Sequence, residues 1–249
     1  MPRIAIINPT TTEAFAERNL DAGRAVAAAG TEVLSVTPAG GPPSIEGHHD
    51  EAVAVIGVLE EIRRLEQEGV DGYVIACFGD PGIWAARELA RGPVIGIAEA
   101  SFHAASIVAT RFSVVTTLPR TCIIARHLLQ TLGLAERCAR VRSTELEVLA
   151  LEATGDPARR RIRDECVRAL EEDEIGALVL GCAGMADLSR GLQAELGVPV
   201  IEGVAAGVKL IEALVAMGLQ TSKHGDLAAP IAKTYTGRLA HLSPASSPS

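Results

Sequence analysis

GYVIACFGDPG (residues 72–82) and ALVLGCAGMADL (residues 177–188) carry Cys77 and Cys182 at matching places. Each cysteine ends a short apolar run and precedes a glycine-containing turn, the pattern of a buried strand giving way to a helix. In an α/β sheet that edge is where ligands bind. The match reaches further. PVIGI (residues 93–97) and PVIEG (residues 199–203) follow the two cysteines after 16 and 17 positions, and RIAIINPTT from Arg3 resembles RFSVVTTLP from Arg111. Asn8 thereby stands opposite Thr116, and the three landmarks recur with offsets of 108, 105 and 106 residues. A repeat that long implies a duplicated α/β unit rather than a solenoid.

Composition agrees with that architecture. Hydrophobic residues make up 48% of the 249, and aromatic residues only 3%. Runs of Val, Ile, Leu and Ala with few aromatics suit parallel strands covered by helices on both faces. The expected fold is therefore α/β: two pseudo-symmetric three-layer αβα lobes with parallel sheets and an active site in the cleft between them. The first lobe is expected to span residues 1–103 plus about 206–241, and the second 104–205, with a disordered Ser/Pro-rich tail at 242–249.

A net charge of −8 without a Lys/Arg tract argues against nucleic acid or an anionic membrane as partner. No apolar run reaches the roughly 18 residues of a spanning helix. Met1 leads directly into RIAII, with no basic and apolar leader, so a cytoplasmic location with five reduced cysteines is expected.

Along the chain, Thr10, Thr11 and Thr12 are placed to cap a helix running to about Ala29, and PAGGPPSIEG interrupts regular structure before a helix over about 50–68. ADLSRGLQAELG reads as one helix, and GVAAGVKLIEALVAMG as an apolar helix that returns to the first unit. The loops CFGDPG and GCAGM match neither a dinucleotide fingerprint nor a P-loop, so no nucleotide cofactor is expected. No Cys-x-x-Cys or HExxH spacing supports a metal site. His48, His49 and Asp50 read as a solvated helix start.

Two like groups facing one substrate from opposite sides suit a two-base proton transfer. A thiol at a helix N-terminus is expected to titrate below its ordinary value of about 8.5. One cysteine alone is more often a small buried hydrophobe, as Cys122, Cys138 and Cys166 are read here. A pair at equivalent points of a repeat favours chemistry. Around it, Asn8, Thr116 and Thr117 admit two readings, hydrogen bonding to a substrate or capping of turns. Asp80 either touches substrate or orients the turn, and Ile45 and Phe78 either line a pocket or pack. The backbone N–H groups of residues 78–80, including Phe78, Gly79 and Asp80, and of residues 183–185, including Ala183 and Gly184, are candidate oxyanion donors.

INPTTT, PPSIEGHHDEA, GYVIACFGDPG, GPVIGIAEA, RFSVVTT and VLGCAGM together resemble the hydantoin racemase branch of the aspartate/glutamate racemase superfamily, which also holds allantoin racemase. The resemblance covers nearly the whole chain to about residue 240. It implies a cofactor-independent racemase of a small molecule, a 5-substituted hydantoin or allantoin, with Cys77 and Cys182 as the proton-transfer pair and a homo-oligomeric assembly. Two alternatives stay open: an isomerase or decarboxylase of a small dicarboxylate, and a non-catalytic two-lobe binding protein. The absence of Arg or Lys beside either cysteine favours a neutral ring over a dicarboxylate.

Overall fold

The computed structural model describes residues 1–152 and 156–244. The first half contains β1 (Arg3–Ile7), α1 (Glu13–Arg24), β2 (Glu32–Val36), α2 (His48–Gln67), β3 (Gly72–Ile75), α3 (Ile83–Leu89), β4 (Val94–Gly96) and α4 (Ile97–Val108). The second contains β5 (Phe112–Thr116), α5 (Pro119–Thr131), β6 (Cys138–Ser143), α6 (Asp156–Glu172), β7 (Ala177–Leu180), α7 (Ser189–Leu196), β8 (Val200–Glu202) and α8 (Gly203–Ala216). Each half forms a parallel four-stranded sheet, ordered β2-β1-β3-β4 and β6-β5-β7-β8. The identical order is the structural counterpart of the internal repeat.

Every residue of β3, β5 and β7 is buried, because helices cover both faces of each sheet. Side chains still alternate along the strand. Ile4 and Ile6 enter the core shared by the two halves, whereas Ala5 and Ile7 point outward to Val58, Ile62 and Leu65 of α2. On the second sheet, Val115, Leu178 and Leu180 meet Ile162 and Cys166 of α6. Cys122 and Cys166 thus pack in the interior, and Cys138 opens β6.

The two last helices are exchanged. α8 follows the second sheet yet lies on the first: Gly207 comes so close to Val74 that a Cβ there would stand 2.8 Å from a valine methyl. α4 follows the first sheet and packs against β7 and β8 of the second, with the Phe102 ring stacked 6.0 Å from Phe112. α4 and α8 also pack on each other, where Gly203 leaves room for the Ile97 carbonyl.

Several expected boundaries shift. α1 ends at Arg24 rather than near Ala29, and Thr12, at its N-cap, does not cap it, since its hydroxyl donates to the Pro43 carbonyl at 2.7 Å. The segment expected as one helix after Cys182 is a 3-10 turn over Ala183–Leu188 followed by α7. Leu242, expected to begin the tail, is buried and its carbonyl accepts from Arg63 at 2.6 Å, whereas residues 245–249 lie outside the described residues. Among the described residues no helix is long and apolar enough to cross a membrane.

Asp80 ties its turn to a distant helix. Its oxygens accept from the backbone N–H groups of Ala98 (3.0 Å) and Glu99 (2.9 Å), so a residue of the Cys77 loop caps α4. Gly96, the N-cap itself, has no side chain, and one there would run into Asp80. At the corresponding point of the second half Glu202 is its own N-cap, accepting from Val204 (2.8 Å) and Ala205 (2.7 Å). Burial outweighs the two donors and pushes the Asp80 carboxyl from its ordinary 3.8 up to about 7. The folded chain then keeps a proton that the unfolded chain has released between about pH 4 and 7, so this group's contribution to stability falls as pH rises through that window. Asp80→Asn is expected to remove that slope, giving a smaller change in Tm between pH 4.5 and 7 than the wild type. An equal change in both proteins would refute the assignment.

Candidate active site

Backbone pairing places the two cysteines identically. Ile7 pairs with Ile75 and Val115 with Leu180. The next N–H groups, of Ala76 and Gly181, donate to the carbonyls of Ile7 and Val115, each at 2.8 Å. Cys77 and Cys182 come next. After each the chain turns the same way, with Asp80 N–H on the Cys77 carbonyl and Met185 N–H on the Cys182 carbonyl, both at 3.0 Å. The same register sets Asn8 opposite Thr116, as the repeat predicts. All five cysteines are unbridged thiols.

One pocket takes its walls from both halves. Both cysteines line it, together with Asn8, Ile45, Phe78, Gly79, Thr116, Thr117, Ala183 and Gly184 of the expected residues. Asp80 does not line it, because its carboxylate is turned away to α4. Thr10, Phe15, Glu51, Ala76, Thr121, Ile124, Val148 and Gly181 complete the wall and were not expected from sequence. A loop contact closes one side: the Glu46 carboxylate of the first half accepts the Val148 N–H of the second at 2.9 Å.

The polar side chains are largely occupied with one another. Asn8 accepts from the Thr10 hydroxyl (2.9 Å) and N–H (3.3 Å), and its amide donates to the carbonyls of Thr10 and Thr12 at 3.1 and 3.0 Å. Asn8 therefore shapes the turn before α1. Thr116 donates to the Gly181 carbonyl at 2.8 Å and thus holds the backbone immediately before Cys182, while Thr121 donates to Leu118 at 2.8 Å. Phe78 lines the pocket and also packs edge-on against Phe102, 5.4 Å away at 89°.

Glu51 is different. It sits in the first turn of α2 with its side chain directed back over Gly79, where any side chain would collide with Oε1. Oε2 lies 3.2 Å from His48 Nδ1, and the His48 ring stacks on His127 of α5 at 6.5 Å and 13°. Burial pushes the Glu51 carboxyl above its ordinary range, against the opposing pull of His48.

The expected lowering of the Cys77 thiol is reversed. α3 begins only at Ile83, six positions on, so its N-terminus does not act on the sulfur. Burial among Ala76, Phe78 and the facing wall pushes the thiol well above its ordinary 9.0, the Gly79 N–H opposes this, and the charges of Glu51, Cys182 and Asp80 push it further up. These influences favour the thiol form of Cys77. Its coupling to Cys182 means that charge on one sulfur resists charge on the other.

Comparison with known proteins agrees with this geometry. Residues 4–211 match the family described as Asp/Glu/Hydantoin racemase. The chain is 46% identical over 237 residues to a hydantoin racemase of Pseudomonas sp. (strain NS671), covering 95% of each chain. It is 47% identical over 234 residues to a hydantoin racemase of Rhizobium meliloti, covering 94% of this chain and 97% of that one. The solved structure of an allantoin racemase from Klebsiella pneumoniae superposes with a TM-score of 0.96 at 59% identity, over 98% of this chain and all of that one. With family and fold in agreement over almost the entire length, the chain belongs to the Asp/Glu/hydantoin racemase family and is an isomerase of the racemase kind.

Proposed function

We propose that this protein racemises 5-substituted hydantoins, allantoin among them, by moving a proton between Cys77 and Cys182 across the ring without a cofactor. The observation that carries the reading is the pair of thiols at equivalent registers of a duplicated unit, both in the wall of one pocket. The names of the relatives supply the substrate class. Among the described residues that line the pocket there is no Lys or Arg, which favours a neutral ring over a dicarboxylate.

The chemistry follows from C5. Its hydrogen is acidified by the neighbouring C4 carbonyl, so a thiolate on one face removes it to leave an enolate, and the thiol on the opposite face returns a proton to the same carbon. The carbon is inverted and the two sulfurs exchange protonation states. The backbone N–H groups of Phe78, Ala183 and Gly184 stabilise the enolate oxygen, a contribution of about 3 kcal/mol per donor in comparable acyl-transfer sites, whereas those of Asp80 and Met185 serve the cysteine carbonyls and that of Gly79 the Cys77 sulfur. The pair needs one proton between them. Mutual repulsion of two thiolates in a small apolar pocket enforces it.

Loss of optical rotation from an enantiopure 5-substituted hydantoin is the direct assay, with no addition to the buffer. Cys77→Ser and Cys182→Ser are each expected to lower kcat by at least about 100-fold. Rates near wild type in either variant would contradict the two-base scheme. In deuterated solvent each variant is expected to exchange the C5 hydrogen of one enantiomer far faster than the other; equal exchange of both would place the sulfurs wrongly.

The raised Cys77 thiol adds a pH dependence. Because the thiolate is the base and burial holds Cys77 above 9.0, kcat/KM for the enantiomer deprotonated by Cys77 is expected to climb steadily from pH 7 to 9. A plateau below pH 8 would show that Cys77 titrates at or below the ordinary thiol range. The homo-oligomer implied by the resemblance is also proposed, and light scattering is expected to give a multiple of 26.0 kDa rather than that mass itself.

A further inference from the structure

Among the described side chains that line the pocket, one buried oxygen has no hydrogen-bond partner at all. Asn8 Oδ1 already accepts twice from Thr10, and the hydroxyls of Thr116 and Thr121 are directed at the carbonyls of Gly181 and Leu118. Glu51 Oε1 is buried and has no hydrogen-bond partner among the described residues. Its sister oxygen faces His48, which stacks on His127 of the second half, so the carboxylate is held rather than loose. A buried carboxylate oxygen without a donor is costly, and the cost is relieved when a bound molecule supplies an N–H.

A hydantoin ring presents two kinds of polar group. Its carbonyl oxygens are matched by the backbone N–H groups of the two cysteine turns. Its N–H groups need acceptors, and the carbonyls of Cys77, Gly181 and Cys182 already accept from the Asp80 N–H, the Thr116 hydroxyl and the Met185 N–H. We propose that Glu51 is a substrate-binding residue whose carboxylate accepts a hydrogen bond from an amide-type N–H of the substrate, beside Cys77. This rests on the racemase reading for the identity of the substrate. The N–H belongs either to the ring or to a ureido 5-substituent such as that of allantoin, and the chemistry recognised is the same.

The test compares wild type, Glu51→Gln and Glu51→Leu on allantoin and on 5-benzylhydantoin, which shares the ring but has no N–H in its substituent. KM is expected to rise about tenfold for Gln, which loses the charge, and about a hundredfold for Leu, which loses the acceptor, with kcat changing less. A rise for allantoin alone assigns the bond to the substituent; a rise for both assigns it to the ring. In the ring case, 5-benzylhydantoin methylated at the relevant nitrogen loses the same factor in wild type and no further factor in the variants. A merely structural role for Glu51 would leave the two losses additive, and that outcome overturns the proposal, as does an unchanged KM for both compounds.

A second readout does not need turnover. Alkylation of Cys77 and Cys182 by iodoacetamide is measured with and without allantoin or 5-benzylhydantoin. If wild type racemises neither compound yet one of them protects the thiols, and Glu51→Gln weakens that protection, the acceptor role stands while the racemase reading falls. Equal protection of wild type and variant overturns the acceptor role and leaves the racemase reading to the rotation assay. Absence of both turnover and protection overturns the two together.

Discussion

The close contact of α4 with α8 is the constraint on which the cleft depends. Each helix leaves its own sheet and covers the inner face of the other, so neither half has a complete core without its partner. Val204, Val208 and Ile211 of α8 share one apolar cluster with Ile4, Ile6 and Val74 of the first sheet and with Phe112 and Val179 of the second. A close-packed core of this kind resists sliding of one half over the other. The distance between the two cysteine turns is thus set by packing far from them. At the point of closest approach the chain has Gly203, and a larger residue would push the two halves apart.

The repeat is symmetric in its strands and asymmetric in its caps. Both α4 and α8 begin with two N–H groups on a carboxylate, but Glu202 supplies the second cap from within its own helix start whereas Asp80 supplies the first from the cysteine loop. Asp80 reaches that position in a left-handed backbone conformation, φ 46°, which costs more for aspartate than for glycine. The return for that strain is a tie between the Cys77 turn and the helix that joins the halves. Cys182 is held by different means, the Thr116 hydroxyl on the Gly181 carbonyl. The two thiols therefore have matching backbones and unlike surroundings.

This division explains what was legible in the sequence. Strand ends and the pairing of Cys77 with Cys182 follow from runs of apolar residues and a repeated spacing, whereas the sheet order β2-β1-β3-β4 and β6-β5-β7-β8 is set by contacts between distant segments. Asn8 and Thr116 were placed correctly by the same offset. Glu51 was not found, because its relation to Gly79 is made by a helix starting at His48 and a turn nearly 30 residues later, and no local pattern records it. The two readings of Asp80 stay undecided in the sequence for a related reason: its neighbours along the chain are in the pocket, but its partners, Ala98 and Glu99, are 18 and 19 residues away. The direction of the Cys77 thiol shift is not legible either, because it depends on where the following helix starts, and that helix begins only at Ile83, too late to act on the sulfur.

A pocket that pushes its cysteine up is compatible with proton abstraction if the charges responsible change when the ring enters. Three charges oppose the Cys77 thiolate: Glu51, Cys182 and Asp80. Asp80 is already drawn toward α4, and Cys182 in its thiol form carries no charge. Glu51 is the remaining one, and its Oε1 has no donor before substrate arrives. On the proposal that a substrate N–H binds that oxygen, part of its negative charge is spread onto the ligand and its push on Cys77 weakens. The same event brings the C4 carbonyl onto the backbone donors that favour loss of the C5 proton. Recognition of the N–H and activation of the base then become one step.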